Sequence, residues 1–544
     1  MKKSTLASYI IVSLLCLYAL GAFYIPLLGS YFYADDTQCL WFAATKSIDE
    51  MFFSPDDYRV LSGNSFTPMV GITFKVDWLL FGMNPKGYYV HNLIAVLLTG
   101  IALFAFLKIY TDTATALFGF LLYLLNPLVL SVFSWCSSRH YLEGMFFALL
   151  SLYLHVKANR AERVSVMSGG FYLLSSLYKE LYVALPAIAV IISRGPLTQR
   201  IRNTAHLWGI LFLYIAWRFW MLGGIGGYPL EESFSMTSLM KGIYNILKFS
   251  PHHFLGSFSV VYWLIIPLML LTSDRKNILH ATLIFLIFLL PLVQVSWLID
   301  SYYLWARYIV HISIFMIFLM TVWAGQIMKT GAWKKAAMLI FLFALAGMFI
   351  VRDYNLKKYI IIEREISART AREYIYSGKP YIDAKTVMWF YEGLDVLYEY
   401  LYNRKIPTKI VPPPPYVKYL SQERLNDIES TGYKIDKNLI NAELKHDVIT
   451  GSMRIDGYRI TWDLGPFEEG TYIILRGKYK GLFNAIHKVN RKGMHHFGKY
   501  FPLNRPDIFS IRVLYQSPGG WEAITDEYRV KIPGDRTINF NVKS

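Results

Sequence analysis

A chain of 544 residues that is 54% hydrophobic and 17% aromatic, with mean hydropathy +0.34, is too apolar for a soluble globular protein of ordinary composition. Its formal charge of +17 would suggest nucleic acid, but many of the lysines and arginines stand in short loops between apolar stretches. The positive-inside rule accounts for them there, so the partner they indicate is a lipid bilayer and no nucleic acid is implied.

The first apolar stretch, 5–28, has a core too long for a signal peptide and is followed by no small-x-small cleavage site, so it reads as a retained span. A long external loop over 29–87 follows, carrying Asp35-Asp36 and Asp56-Asp57. Within it, PMVGITFKVDWLLFG at 68–82 holds Lys75 and Asp77 and is too short to cross a hydrocarbon core of about 30 Å, which predicts an amphipathic helix in the outer interface. Ten more spans are predicted at 88–108, 114–133, 140–157, 165–178, 180–193, 205–222, 257–272, 278–298, 303–325 and 333–351. The pair 165–178 and 180–193 is short and separated by little more than Tyr178-Lys179-Glu180, a pattern that a re-entrant or tightly turned hairpin would also give.

With a cytoplasmic N-terminus the inner loops read KIYTDT, VKANRAER, SRGPLTQRIRN, TSDRKN and MKTGAWKK, four of the five rich in Lys or Arg. An odd number of spans puts the polar tail outside. Its first part, 353–410, is a helical connector in which YIIIEREISARTAREYIY repeats apolar positions near 3.6 residues. VPPPPYV opens the second part, 411–544, where YRITWDL, TYIILRGKY, FSIRVLYQ and YRVKIP alternate as antiparallel strands do. The expected fold class is a polytopic α-helical membrane protein, 1–352 and about eleven spans, with an extracytoplasmic α/β or β-sandwich domain at the C-terminus.

Chemistry-bearing residues gather on the predicted outer side. Asp35 and Asp36 stand just beyond the first span, where a carboxylate can take a proton from an acceptor hydroxyl; solvation of an acidic pair beside a helix is the plainer reading. Arg139, Lys179, Arg218 and Arg307 lie at or near the outer ends of spans, where a charge is costly unless paired or serving a ligand. A lipid-linked phosphate would satisfy them through charge-assisted hydrogen bonds; snorkelling, or pairing with Asp300, Glu143 or Glu180, is the structural alternative. His140 and His252 are possible substrate contacts, as are Glu180 and Asp300. His91 and His140 have no second ligand at recognisable spacing, and Cys16, Cys39 and Cys136 form no metal-like cluster, so no metal site is expected. Cys39 and Cys136 fall on one predicted side, where a disulfide is conceivable and separate thiols are the expectation.

The order of the acidic pair, GNSFTPMVGITFKVDWLLFGMNPKGYYVHNLIAVLLTG, WCSSRHYLEGMFFALLSLYL, LLSSLYKELYVALPAIAV, YIAWRFWMLGG and LWARYIVHISIF resembles the GT-C glycosyltransferases over roughly 1–325. Within them it is most similar to the protein O-mannosyltransferase-like enzymes, including those with TPR repeats. The resemblance implies a catalytic acidic residue at Asp35 or Asp36, a Lys-Glu pair at Lys179-Glu180, and arginines at Arg139, Arg218 and Arg307. It also implies a polyprenyl-phosphate sugar donor, used with inversion, and an acceptor hydroxyl on a protein, lipid or glycan. Two departures stand out: Phe66-Thr67-Pro68-Met69 occurs where relatives often have Tyr-Arg-Pro-Leu, and the tail lacks TPR periodicity.

Such a transfer requires no cofactor, because the phosphate leaves unprotonated and cations stabilise its charge; a divalent cation is not indicated. The rival readings are a polysaccharide or O-antigen ligase, a lipid-linked-glycan transporter and a membrane scaffold. The expected location is a bacterial cytoplasmic (inner) membrane, with the C-terminal domain in the periplasm.

Overall fold

The computed structural model describes residues 3–59, 61–62, 65–223, 236–272, 275–292, 303–383, 385, 388–411, 419–420, 422–435, 444–457, 459–478, 483–496 and 507–540. Asp300 lies outside them.

The chain is an integral membrane protein built mostly of helices, with a strand-rich C-terminal region. Among the described residues, six helical stretches are long and apolar enough to cross a membrane: Tyr9–Gly29, Pro85–Leu107, Leu197–Leu222, Gly242–Met269, Ala306–Ile327 and Ala332–Tyr376. Thr113–Leu124 and Pro127–Phe133, bent by 54°, make a seventh if they count as one span. The bend has a local cause: the Asn126 side chain accepts the Leu128 amide, and Pro127 at the new N-terminus has no amide to offer the preceding turn.

The predicted short pair becomes Val166–Tyr178, a 3-10 turn Glu180–Ala184, and Leu185–Ile192. At 1.5 Å per residue the 13-residue helix is about 20 Å long, so neither member crosses the bilayer alone. The predicted last span also runs further than expected: Ala332–Tyr376 is one helix of 45 residues, continuous past Arg352 into the connector. No glycine or proline stands between Gly347 and Gly378 to stop it.

The chain divides into two compact units. The first holds 1–30, 66–220 and 235–362; the second holds 31–65, 221–234 and 363–544. Small residues bring helices together in the first unit: Gly144 lies against Tyr182, and Gly119 against Leu107 and Thr321. No disulfide joins Cys16, Cys39 and Cys136.

In the second unit Asp36–Thr45 packs on Met388–Tyr402, and Ile48–Phe53 begins with a capping box between Ser47 and Glu50. Two sheets follow. One has six strands, ordered Leu444–Lys445, Glu522–Ile524, Asp507–Gln516, Thr471–Lys478, Phe483–Val489, with Tyr528–Ile532 also on Asp507–Gln516. The other runs Gly534–Phe540, Thr450–Gly457, Arg459–Gly465, Lys492–His496. Alternation in the sequence appears as alternating burial, with Ile460, Trp462 and Leu464 inside and Arg459 and Asp463 outside. Ile473, Leu475, Leu514 and Ile524 of the larger sheet share a core with Tyr419, Leu425 and Ile428.

Candidate active site

Each unit carries its own set of candidate residues. In the second, the backbone turns sharply after Phe32, with Ala34 at φ +50°, a left-handed conformation that costs a residue with a side chain about 1–2 kcal/mol. The turn aligns the two aspartates differently. Asp36 is fully buried, opens the helix Asp36–Thr45, and accepts the Tyr33 amide on Oδ2 at 2.9 Å. Asp35 is half-buried at the N-cap, and its carboxylate makes no capping bond to the helix. Spacing alone does not separate the pair; the turn does.

In the first unit the cations assemble around Tyr141. Lys179 stands in the extended break between Val166–Tyr178 and the 3-10 turn, with Nζ 4.6 Å from the Tyr141 ring centre. Arg307 lies between two rings, 4.4 Å from Trp135 and 4.6 Å from Tyr308, and donates to the Tyr308 hydroxyl at 3.2 Å. Tyr308 meets Tyr141 edge-on at 6.1 Å, and the Tyr182 hydroxyl donates to the Tyr141 carbonyl. His140 joins the group through its ring, 4.5 Å from Tyr141, with Nδ1 2.5 Å from the Ser137 carbonyl.

The other two predicted cations are matched to carboxylates. Arg218 binds Glu180 through two bonds, Nε to Oε1 at 2.5 Å and a terminal nitrogen to Oε2 at 3.2 Å, while Oε1 also accepts the Phe66 amide at 2.7 Å. Arg139, only 1% exposed, bonds Asp77 and stacks at 4.7 Å on Phe74. His91 closes this group, with Nδ1 2.7 Å from Asp77 and Nε2 3.1 Å from Glu143. Nε and one terminal nitrogen of Arg139 find no hydrogen-bond partner among the described residues.

The sequence marks Asp77 only as a polar residue of an interfacial helix. The signal was there: an aspartate within an apolar run needs a buried partner. The aromatic hub at Trp135, Tyr141 and Tyr308 had no such mark among 90 aromatic residues, 14 Trp, 40 Tyr and 36 Phe. His252 is half-buried beside His253 on Met236–Leu255, and its charged neighbour is Arg352. Among the described residues no three His, Cys, Asp or Glu side chains stand together as a metal site would need.

An apolar cavity of about 880 Å³ lies within the first unit, lined by Leu103, Phe106, Ala148, Leu149, Phe288 and Phe315 among others, with Tyr182 and His311 in its wall. Tyr182 therefore belongs to both the cavity and the Tyr141 group. Arg194, Arg200 and Gln326 also line it.

No family model matches the chain, and no curated protein matches it in sequence. Among solved structures, the crystal structure of ArnT from Cupriavidus metallidurans in the apo state is similar to it, with 14% identity and a TM-score of 0.44, over 77% of this chain and 89% of that one.

Proposed function

We propose that this protein is a GT-C membrane glycosyltransferase that moves a sugar from a polyprenyl-phosphate carrier to an acceptor hydroxyl on the extracytoplasmic face. The observation that carries the reading is the pairing, in one unit, of an aromatic-braced cation group at Lys179 and Arg307 with an apolar cavity that shares Tyr182 with it. A lipid phosphate has those two parts: an anionic head and a long apolar tail.

In this reading Lys179 and Arg307 bind the phosphate, with His140 beside them as a further contact. Arg139 and Arg218, already matched to Asp77 and Glu180, contribute positive potential and fix the surrounding helices. The cavity takes isoprenoid units. The acceptor oxygen attacks the anomeric carbon, the bond from that carbon to the phosphate oxygen breaks, and the acceptor proton passes to Asp35. Single displacement inverts the anomeric centre. The leaving phosphate is a weak base, so cations suffice to stabilise its growing charge and no general acid is needed. Asp35 is preferred over Asp36 because Asp36 is buried and holds the Tyr33 amide.

The acceptor class is open to protein, lipid or glycan, and an O-mannosyltransferase-like activity is one form of the same chemistry. The test is release of polyprenyl phosphate by the purified protein from a panel of polyprenyl-phosphate sugars, with Asp35→Asn as control. Release that Asp35→Asn abolishes supports the transferase. Binding or translocation of a diphosphate-linked lipid, with no turnover of any monophosphate donor, would replace it with the ligase or transporter reading.

A further inference from the structure

The second unit joins the acidic turn to the segment after residue 362, and four separate contacts do so. The Arg364 guanidinium, 2% exposed, lies 3.8 Å from the centre of the Tyr33 ring, and its own neighbour Glu363 is 3.9 Å away. Ser367, one turn later, donates its hydroxyl to the Phe32 carbonyl at 3.0 Å. From the other side, the Thr37 hydroxyl donates to the Phe390 carbonyl at 3.1 Å, and helix Met388–Tyr402 comes close enough at Gly393 that a Cβ there would lie 2.4 Å from Thr37 Oγ1 and 2.6 Å from the Gln38 nitrogen.

These contacts bracket residues 32–38 on both sides of the aspartates. A turn with a left-handed alanine does not hold itself; the surrounding structure must determine it. Arg364 covers the ring of the residue whose amide Asp36 holds, and Gly393 allows the helix that begins at Asp36 to seat against the connector. A residue that carries no chemistry but fixes the placement of one that does alters turnover more than substrate binding.

We infer that Arg364 and Gly393 are positioning residues for Asp35, so that the connector after residue 362 is part of the catalytic apparatus. The inference rests on Asp35 as the base in the function proposed above. Arg364 sets the turn through the face of Tyr33, and Gly393 sets the start of the helix through its missing side chain.

The experiment compares Arg364→Met, Arg364→Lys and Gly393→Ala with wild type and Asp35→Asn in the full-length detergent-purified protein, measuring kcat, donor KM and the pH profile of kcat. Arg364→Met and Gly393→Ala are expected to lose on the order of 10- to 100-fold in kcat with donor KM within about threefold of wild type, because neither residue is a candidate for the phosphate. Arg364→Lys, which keeps a cation for the Tyr33 face, is expected to recover part of the loss. The acid limb of the pH profile should move in Arg364→Met, since the surroundings of the base have changed. If both Arg364→Met and Gly393→Ala keep kcat within twofold while Asp35→Asn is inactive, the positioning role is wrong and the function stands. Parallel loss of donor binding and kcat in folded variants also overturns it, as general disruption. An Arg364→Met chain that does not fold leaves Arg364→Lys and Gly393→Ala to decide by the same criteria. Full activity of Asp35→Asn would instead remove the underlying function.

Discussion

Asp36 accepts the amide of Tyr33 at 2.9 Å, and this single bond separates two adjacent aspartates that look equivalent in the sequence. One is a buried structural acceptor, the other a half-buried carboxylate at the start of the same helix.

The first prediction follows from that division. Asp35→Asn should lower kcat by about 10²- to 10⁴-fold while leaving the unfolding temperature near wild type. Asp36→Ala strands the Tyr33 amide in a buried site and should cost about 1–3 kcal/mol of stability. Transfer assays and thermal unfolding in detergent measure both, and a stability loss confined to Asp35→Asn would reverse the assignment.

A second prediction concerns Glu180, which holds both Arg218 and the Phe66 amide. Glu180→Ala should destabilise by about 1–3 kcal/mol, since a buried donor loses its partner. Arg218→Met alone should cost less, because Glu180 still accepts Phe66. A double-mutant cycle should show the two changes to be non-additive.

The cavity gives a third. Ala148 is 2% exposed in its wall, and Ala148→Trp would fill part of the space. Donor KM should rise more for a long-chain carrier than for a short-chain analogue of the same sugar, with kcat at saturation little changed. Equal KM changes for both chain lengths would mean that the tail lies elsewhere.

A fourth prediction is a pH dependence in the loop before Thr113. Partial burial raises the Asp112 pKa, but bonds from the Thr115 hydroxyl at 2.7 Å and from the Thr115 and Ala114 amides outweigh it, so the carboxyl titrates below its usual range. A depressed folded value means that the stabilisation is complete above the unfolded pKa and is lost as pH falls through the folded one. Asp112→Ala should therefore cost about 0.5–2 kcal/mol at neutral pH, the usual range for a lost N-cap. The gap to wild type should narrow below about pH 4, where the unfolded carboxyl titrates. Chemical unfolding of both proteins at several pH values checks it.

Sequence by itself determined the membrane class, the helical body and the strand-rich tail, because each depends on the run length and period of apolar residues, which are local quantities. Lys179, Glu180, Arg139, Arg218 and Arg307 were legible as candidates for the same reason: a charge beside an apolar run stands out. Their roles were not. Whether Arg139 meets a ligand or Asp77 depends on a contact across 62 positions, and whether Arg218 meets Glu180 on one across 38. The split between Asp35 and Asp36 turns on a left-handed Ala34 and on the burial of Asp36. Tertiary structure alone decided these, since the energy of a charged side chain is set by what desolvates and neutralises it, and those neighbours are brought in by packing rather than by the order of the chain.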